Sequence, residues 1–158
     1  MRTLLIIGAS IPLLAAVPDP AEIIRQAESS CQCFRKIHEK PGKDSSKPLQ
    51  ACVSTNESVI SKWVDPDRIE FTEEGQLYME TYSACMLKMG DIGKDAQDMC
   101  SCIIATAKTG SEIIRNACPE AVSLYMGKYS SSPIEEELFA QTLGACILKS
   151  PEVRKALY

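Results

Sequence analysis

The sequence predicts an all-α protein: a disulfide-stapled helical bundle built from two copies of a three-helix, four-cysteine unit. Three observations carry that expectation. The phrase Thr81-Tyr82-Ser83-Ala84-Cys85-Met86-Leu87-Lys88 nearly returns as Thr142-Leu143-Gly144-Ala145-Cys146-Ile147-Leu148-Lys149. The eight cysteines fall at Cys31, Cys33, Cys52 and Cys85, then at Cys100, Cys102, Cys118 and Cys146, so a C-x-C pair followed by two singles is stated twice. Apolar residues recur at helical spacing, and no stretch sustains the period-two alternation of a strand.

Residues 1–16 carry one basic residue, an apolar run broken by Pro12, and small residues up to Ala16, the layout of a signal peptide cleaved after Ala16. The run is too short to span a bilayer, which takes roughly 20 apolar residues, and Pro18, Asp19 and Pro20 follow at once. The remainder divides into repeat 1 over 17–90 and repeat 2 over 91–158, close enough in size to share one compact domain. Between the copies the cysteines shift by 69, 69, 66 and 61 positions. Around them Gln50-Ala51-Cys52 answers Asn116-Ala117-Cys118, and Leu77-Tyr78 answers Leu138-Phe139. Self-similarity of this kind marks a duplicated supersecondary unit.

The first helix starts at Asp19-Pro20-Ala21-Glu22, which supplies an acceptor side chain for the cap, a proline at the first helical position and an early glutamate. Ser132-Pro133-Ile134-Glu135 repeats that signal before the last long helix. Helical stripes run through Ile24, Ala27, Cys31 and Phe34, through Tyr78, Tyr82, Cys85 and Met89, and through Phe139, Leu143 and Cys146. Middle helices are expected from Leu49 to Trp63 and from Ser111 to Lys128.

An even number of cysteines in an exported chain points to disulfides formed in an oxidising compartment, secreted or periplasmic. Residues two apart on a helix project about 200° apart, so Cys31 and Cys33 must bond to different partners. One arrangement ties the first helix of each copy to the second helix through one cysteine and to the third through the other. A rival bonds Cys85 across the Gly90 turn to Cys100 or Cys102, with Cys146 closing back to Cys31 or Cys33. Spacing leaves both open.

The chemistry-bearing groups are few. His38 is the only histidine, which excludes a histidine metal cluster and H-E-x-x-H. Four thiolates per copy could hold zinc, and Met86, Met89 and Met99 would suit copper(I), but C-x-C within a helix turns its sulfurs apart; no cofactor or metal is expected. C-x-x-C is absent. Glu73-Glu74 and Glu135-Glu136-Glu137 sit where first helical turns favour negative charge, so they read as helix starts rather than as an acid and base. Asn56-Glu57-Ser58 is a glycosylation sequon. No catalytic constellation emerges, and an enzyme is not expected.

The chain carries a formal net charge of −4, and cleavage would remove Arg2, so no basic footprint for nucleic acid exists. No later segment is apolar enough to hold the mature chain in a membrane. The first expectation for function is therefore an exported, non-enzymatic protein that binds another macromolecule, as an inhibitor, immunity-type protector, adaptor or effector. Two connections are longer in the first copy, Lys40–Pro48 and the turn from Trp63, and they nominate Lys43, Lys47, Trp63 and Arg68 as partner-binding residues. A face around Tyr125 and Tyr129 is the next choice. The alternatives are a carrier of an apolar small molecule or lipid, and a thiol- or metal-binding protein.

Overall fold

A computed structural model describes residues 18–42, 44–65, 70–108 and 118–157. The expected signal peptide over 1–16, Lys43, Arg68 and the first part of the expected helix from Ser111 lie outside these residues. The described chain runs through α1 (Pro20–Glu39), α2 (Ser46–Ile60), β1 (Val64–Asp65), β2 (Glu70–Phe71), α3 (Glu73–Met86), α4 (Gly90–Ala107), α5 (Pro119–Tyr129), α6 (Pro133–Leu148) and α7 (Pro151–Leu157). The protein is all-α apart from a two-residue antiparallel pairing, in which Val64 faces Phe71 and Asp65 faces Glu70.

Local chemistry starts the helices. Asp19 Oδ1 accepts from the Ala21 amide at 3.0 Å, and Ser132 Oγ accepts from the Glu135 amide at 3.4 Å, each with proline in the first turn. Thr72 caps α3 by accepting from the Gly75 amide at 3.2 Å. These bonds satisfy amides that have no partner within a first helical turn. Between α3 and α4 the backbone passes through Gly90 at φ +51°, a left-handed conformation that glycine adopts without a Cβ clash.

The expected disulfide-stapled bundle is present. Cys31 bonds Cys85 and Cys33 bonds Cys52, so α1 is tied to α3 and to α2 from opposite sides. Cys100 bonds Cys146 and Cys102 bonds Cys118, tying α4 to α6 and to the start of α5. The Cα atoms of the four pairs lie 5.8–6.2 Å apart, inside the ordinary disulfide range. This is the first of the two arrangements, with no bridge between the halves.

Helix α1 lies along α3, α4 along α6, and α3 against α6 joins the halves. One hydrophobic cluster runs from Ile23, Phe34 and Tyr82 in the first half to Met99, Phe139 and Val153 in the second. The stripe on α1 is rotated from the expected one: Ile23 is buried while Ile24 is 37% exposed. Neighbours on a helix project about 100° apart, and the position of α3 decides which of the two isoleucines faces inward.

Helix α7 adds a seventh helix among the described residues, beyond three per copy. It packs on α4 and α6, buries Val153, and sends Arg154 back over the Phe71 ring, 4.8 Å from its centroid. Arg154 Nη2 also donates to Gln76 Oε1 at 3.0 Å, and Gln76 Nε2 donates to the Lys149 carbonyl at 3.1 Å. The chain end is thus tied to the first turn of α3.

Candidate binding groove

Three helices that are remote in sequence enclose a groove of about 570 Å³. The end of α2 contributes Ile60, α3 contributes Met79 and Tyr82, and α6 contributes Ala140, Gly144 and Leu148. Asn56, Glu57, Ser61 and Gln141 supply the polar atoms around it. The walls are mainly apolar, and the volume falls within the roughly 300–1,000 Å³ typical of small-molecule sites.

Gly144 keeps the groove open on the α6 side. A Cβ placed there would meet nothing within 4 Å. Glycine inside a helix costs about 0.5–1 kcal/mol relative to alanine, and no close approach of backbone or side chain requires it here. The missing side chain leaves space beside Ala140 and Leu148.

The α3 wall is a stack of aromatic rings with polar tips. Tyr78 and Tyr82 lie 5.9 Å apart in stacked geometry, and Phe34 meets Tyr82 edge-on at 6.3 Å. The Tyr78 hydroxyl is buried between Ser30 Oγ at 2.7 Å and Asn56 Oδ1 at 2.8 Å. An amide oxygen only accepts, so the phenol donates to Asn56 and accepts from Ser30, which satisfies it. The neighbouring Tyr82 hydroxyl is equally shut off from solvent and has no hydrogen-bond partner among the described residues. Burial, helped by the adjacent Tyr78, pushes the Tyr82 phenol well above its ordinary range, so it remains a neutral donor. The same contacts give Asn56 a structural role: at 2% exposure and bonded to Tyr78, the sequon asparagine is closed to a glycan in this fold.

Of the residues nominated for a macromolecular partner, Lys47 and Trp63 lie among the described residues. Lys47 is exposed in the first turn of α2. Trp63 is half-buried against α3: a Cβ on Gly75 would come within 2.7 Å of the Trp63 Cβ, and the indole N–H is buried without a partner among the described residues. Tyr125 and Tyr129 pack on Phe139, with ring centroids 5.8 and 5.0 Å away, Tyr129 buried and Tyr125 half-buried. The Tyr129 hydroxyl donates to Asp95 Oδ2 at 2.7 Å, and Lys128 Nζ donates to the same oxygen at 2.6 Å. Burial raises the Tyr129 phenol, and the Asp95 bond adds to it, up to about 12. Desolvation pushes the Asp95 carboxyl up, but the bonds from Lys128 and Tyr129 outweigh it and hold the group below its ordinary value.

The other chemical candidates have ordinary surroundings. His38 lies in the last turn of α1, and a Cβ at Gly90 would come 3.7 Å from its Nε2. Glu73 and Glu74 open α3, and hydrogen bonds from the Glu74 backbone and Thr72 lower the Glu74 carboxyl. All eight sulfurs are bonded in pairs, which leaves no thiolate for a metal. A polar hollow on the outer face of α1 contains Arg25, Arg35 and Lys88, but Arg25 is paired with Glu22 and Arg35 with Glu39. Comparison with protein-family profiles, with curated proteins and with solved structures returns no match.

Sequence reasoning missed the groove. Its only sequence signal is the glycine at position 144 inside an otherwise helical stripe, where Ser83 stands in the corresponding phrase of the first half.

Proposed function

We propose that this chain is an exported, non-enzymatic carrier that holds a small apolar molecule between α2, α3 and α6. The observation that carries this reading is the groove itself: about 570 Å³, mainly apolar, and held open at a helix-interior glycine that no packing contact requires. The staples favour a preformed site, because they fix α1 against α2 and α3, and α4 against α5 and α6, before any ligand arrives. The carrier reading is further supported by Trp63, the residue best suited to anchor an interface, whose indole N–H is buried. We read the two halves as copies of one unit and the mature chain as beginning at Val17 in a secreted or periplasmic setting. Four disulfides agree with an oxidising compartment, and among the described residues no helix is long and apolar enough to cross a membrane.

The test is titration with Nile red, a neutral dye that brightens in apolar surroundings. The native protein should give a saturable rise in fluorescence. Gly144→Leu, which projects a side chain into the open space, should bind the dye about tenfold more weakly or worse while keeping native helicity and melting. A native protein that shows no saturable rise, or a Gly144→Leu variant that folds and binds as tightly as the native chain, would sink the carrier reading.

A further inference from the structure

The groove is not uniformly apolar, and its polar atoms are unequal. Asn56 Oδ1 is taken by Tyr78, and Gln141 Nε2 is turned to Glu137 Oε1 at 2.9 Å. Glu57 is exposed at the rim. Tyr82 lines the groove, and its hydroxyl is fully buried with a donor proton that no group among the described residues receives. A buried hydroxyl without an acceptor is a standing cost, relieved when an acceptor is brought to it.

The charge around the groove restricts what can bring that acceptor. Among the described residues no lysine or arginine lines the groove, and the one charged group there is Glu57. A carboxylate or phosphate placed against these walls would be buried without a cation and beside a like charge, which is strongly unfavourable. A neutral carbonyl or ether oxygen carries no such penalty.

From these features we infer that the groove selects neutral apolar molecules bearing a hydrogen-bond acceptor such as a ketone or ester carbonyl, and that the Tyr82 hydroxyl is the donor that recognises it. The inference rests on the groove being a ligand site. The hydroxyl is covered when the groove is empty, so a ligand reaches it only by displacing the side chains that cover it. Its raised pKa keeps it protonated at any physiological pH, so recognition should not titrate with the phenol. Ring stacking with Tyr78 and the edge contact from Phe34 hold the phenol in place, and the aliphatic part of the ligand lies along Ile60, Met79 and Leu148.

The experiment is displacement of Nile red from the full, oxidised protein by three twelve-carbon probes, 2-dodecanone, dodecanoate and 1-dodecene, with the dye's own affinity measured for each variant. The ketone should displace the dye at a concentration about tenfold lower than dodecanoate at pH 7. Tyr82→Phe, which keeps the ring and its stacking, should weaken the ketone about tenfold, leave 1-dodecene unchanged, and melt no lower than the native protein because an unpartnered hydroxyl has been removed. That combination separates recognition from a structural role, which would shift all three probes and the melting together. Dodecanoate displacing as well as the ketone, a Tyr82→Phe variant that retains native affinity for the ketone, or no displacement by the ketone overturns the inference. Absence of dye binding to the native protein instead overturns the carrier reading beneath it.

Discussion

The two halves of the molecule share a staple pattern and differ in where they place their polar bonds. In each half the first cysteine of the C-x-C pair bonds the fourth and the second bonds the third. Within that frame the first half buries a polar triad, Ser30, Tyr78 and Asn56. In the cysteine register the corresponding residues of the second half are Met99, Phe139 and Val122, all apolar. The second half instead ties α4 to α5 near its surface through Asp95, Lys128 and Tyr129, whose counterparts in the first half are Gln26, Lys62 and Trp63. Gln26 turns to Glu22 at 3.0 Å, and the Trp63 indole N–H has no partner among the described residues. The covalent frame fixes helix positions, which leaves the side chains between them free to differ from one half to the other. The groove draws on positions where the halves differ, with Tyr82 from the first half where the second has Leu143, and Gly144 from the second where the first has Ser83.

The largest expected effect tests whether the frames are equivalent. Cys31–Cys85 closes 54 residues and Cys100–Cys146 closes 46, so loop-closure entropy gives each about 4 kcal/mol. The short bridges, closing 19 and 16 residues, should contribute about 3 kcal/mol each. Paired replacement of Cys31 and Cys85 by alanine should lower stability by about 2–5 kcal/mol, and replacement of Cys100 and Cys146 should match it within about 1 kcal/mol. Denaturant titration of both variants checks this. Loss of structure in one and a mild effect in the other would show that the halves carry unequal shares of the fold.

The next effect concerns the buried triad. Tyr78→Phe removes the phenol that joins Ser30 to Asn56 and leaves two buried polar groups unpaired, so it should cost about 1–3 kcal/mol. Importing the second half's set as Ser30→Met, Asn56→Val and Tyr78→Phe together should recover part of that loss, because no polar group is then stranded. Strong non-additivity is the expected signature of groups that act as one network. A triple variant less stable than the sum of its parts would mean that the surroundings of the triad have no room for the apolar set.

Much of the frame was legible because its causes are local. Asp19-Pro20 and Ser132-Pro133 announce helix starts whatever surrounds them, and the 200° separation within C-x-C requires two partners for each pair. Ser150-Pro151-Glu152 carries the same signal, and Ser150 Oγ lies 3.5 Å from the Val153 amide, so the start of α7 was equally open to reading. The rest depends on contacts between distant residues. Ile23 and Ile24 both continue a helical stripe, and only the placement of α3 separates them. Trp63 is exposed or inward according to whether Gly75 leaves it room. The groove draws Ile60, Tyr82 and Gly144 from three helices, and no spacing rule relates those positions.

A smaller effect isolates the glycine that distinguishes the halves. Gly144 lies inside α6 with no neighbour against its missing side chain, so Gly144→Ala should stabilise the protein by about 0.5–1 kcal/mol through helix propensity. A rise in melting temperature checks this. A fall would mean that α6 needs glycine for its own geometry, and the open space beside it would then be a consequence of the fold rather than a feature kept for a ligand.

The smallest effect is electrostatic and belongs to the second half alone. Asp95 is mostly covered, while the Lys128 side chain that it holds is 48% exposed, so solvent screening keeps the contribution of the pair small. The Asp95 carboxyl is depressed in the folded protein, so the folded state binds its proton less readily than the unfolded chain does. Its contribution is therefore complete above the unfolded value, about 3.9, and is lost as pH falls through the lower folded value. Asp95→Asn should be less stable than the native protein at pH 7 by no more than about 1 kcal/mol, and the two should converge as pH drops below about 4. Gln26→Ala, at the corresponding position of the first half, should show no such convergence, since Gln26 carries no titrating group. Melting of the three proteins across that range makes the comparison. If the gap between native and Asp95→Asn persists at pH 2, the second half is held at this point by the shape of the Asp95 side chain and its hydrogen bonds, and its charge contributes nothing.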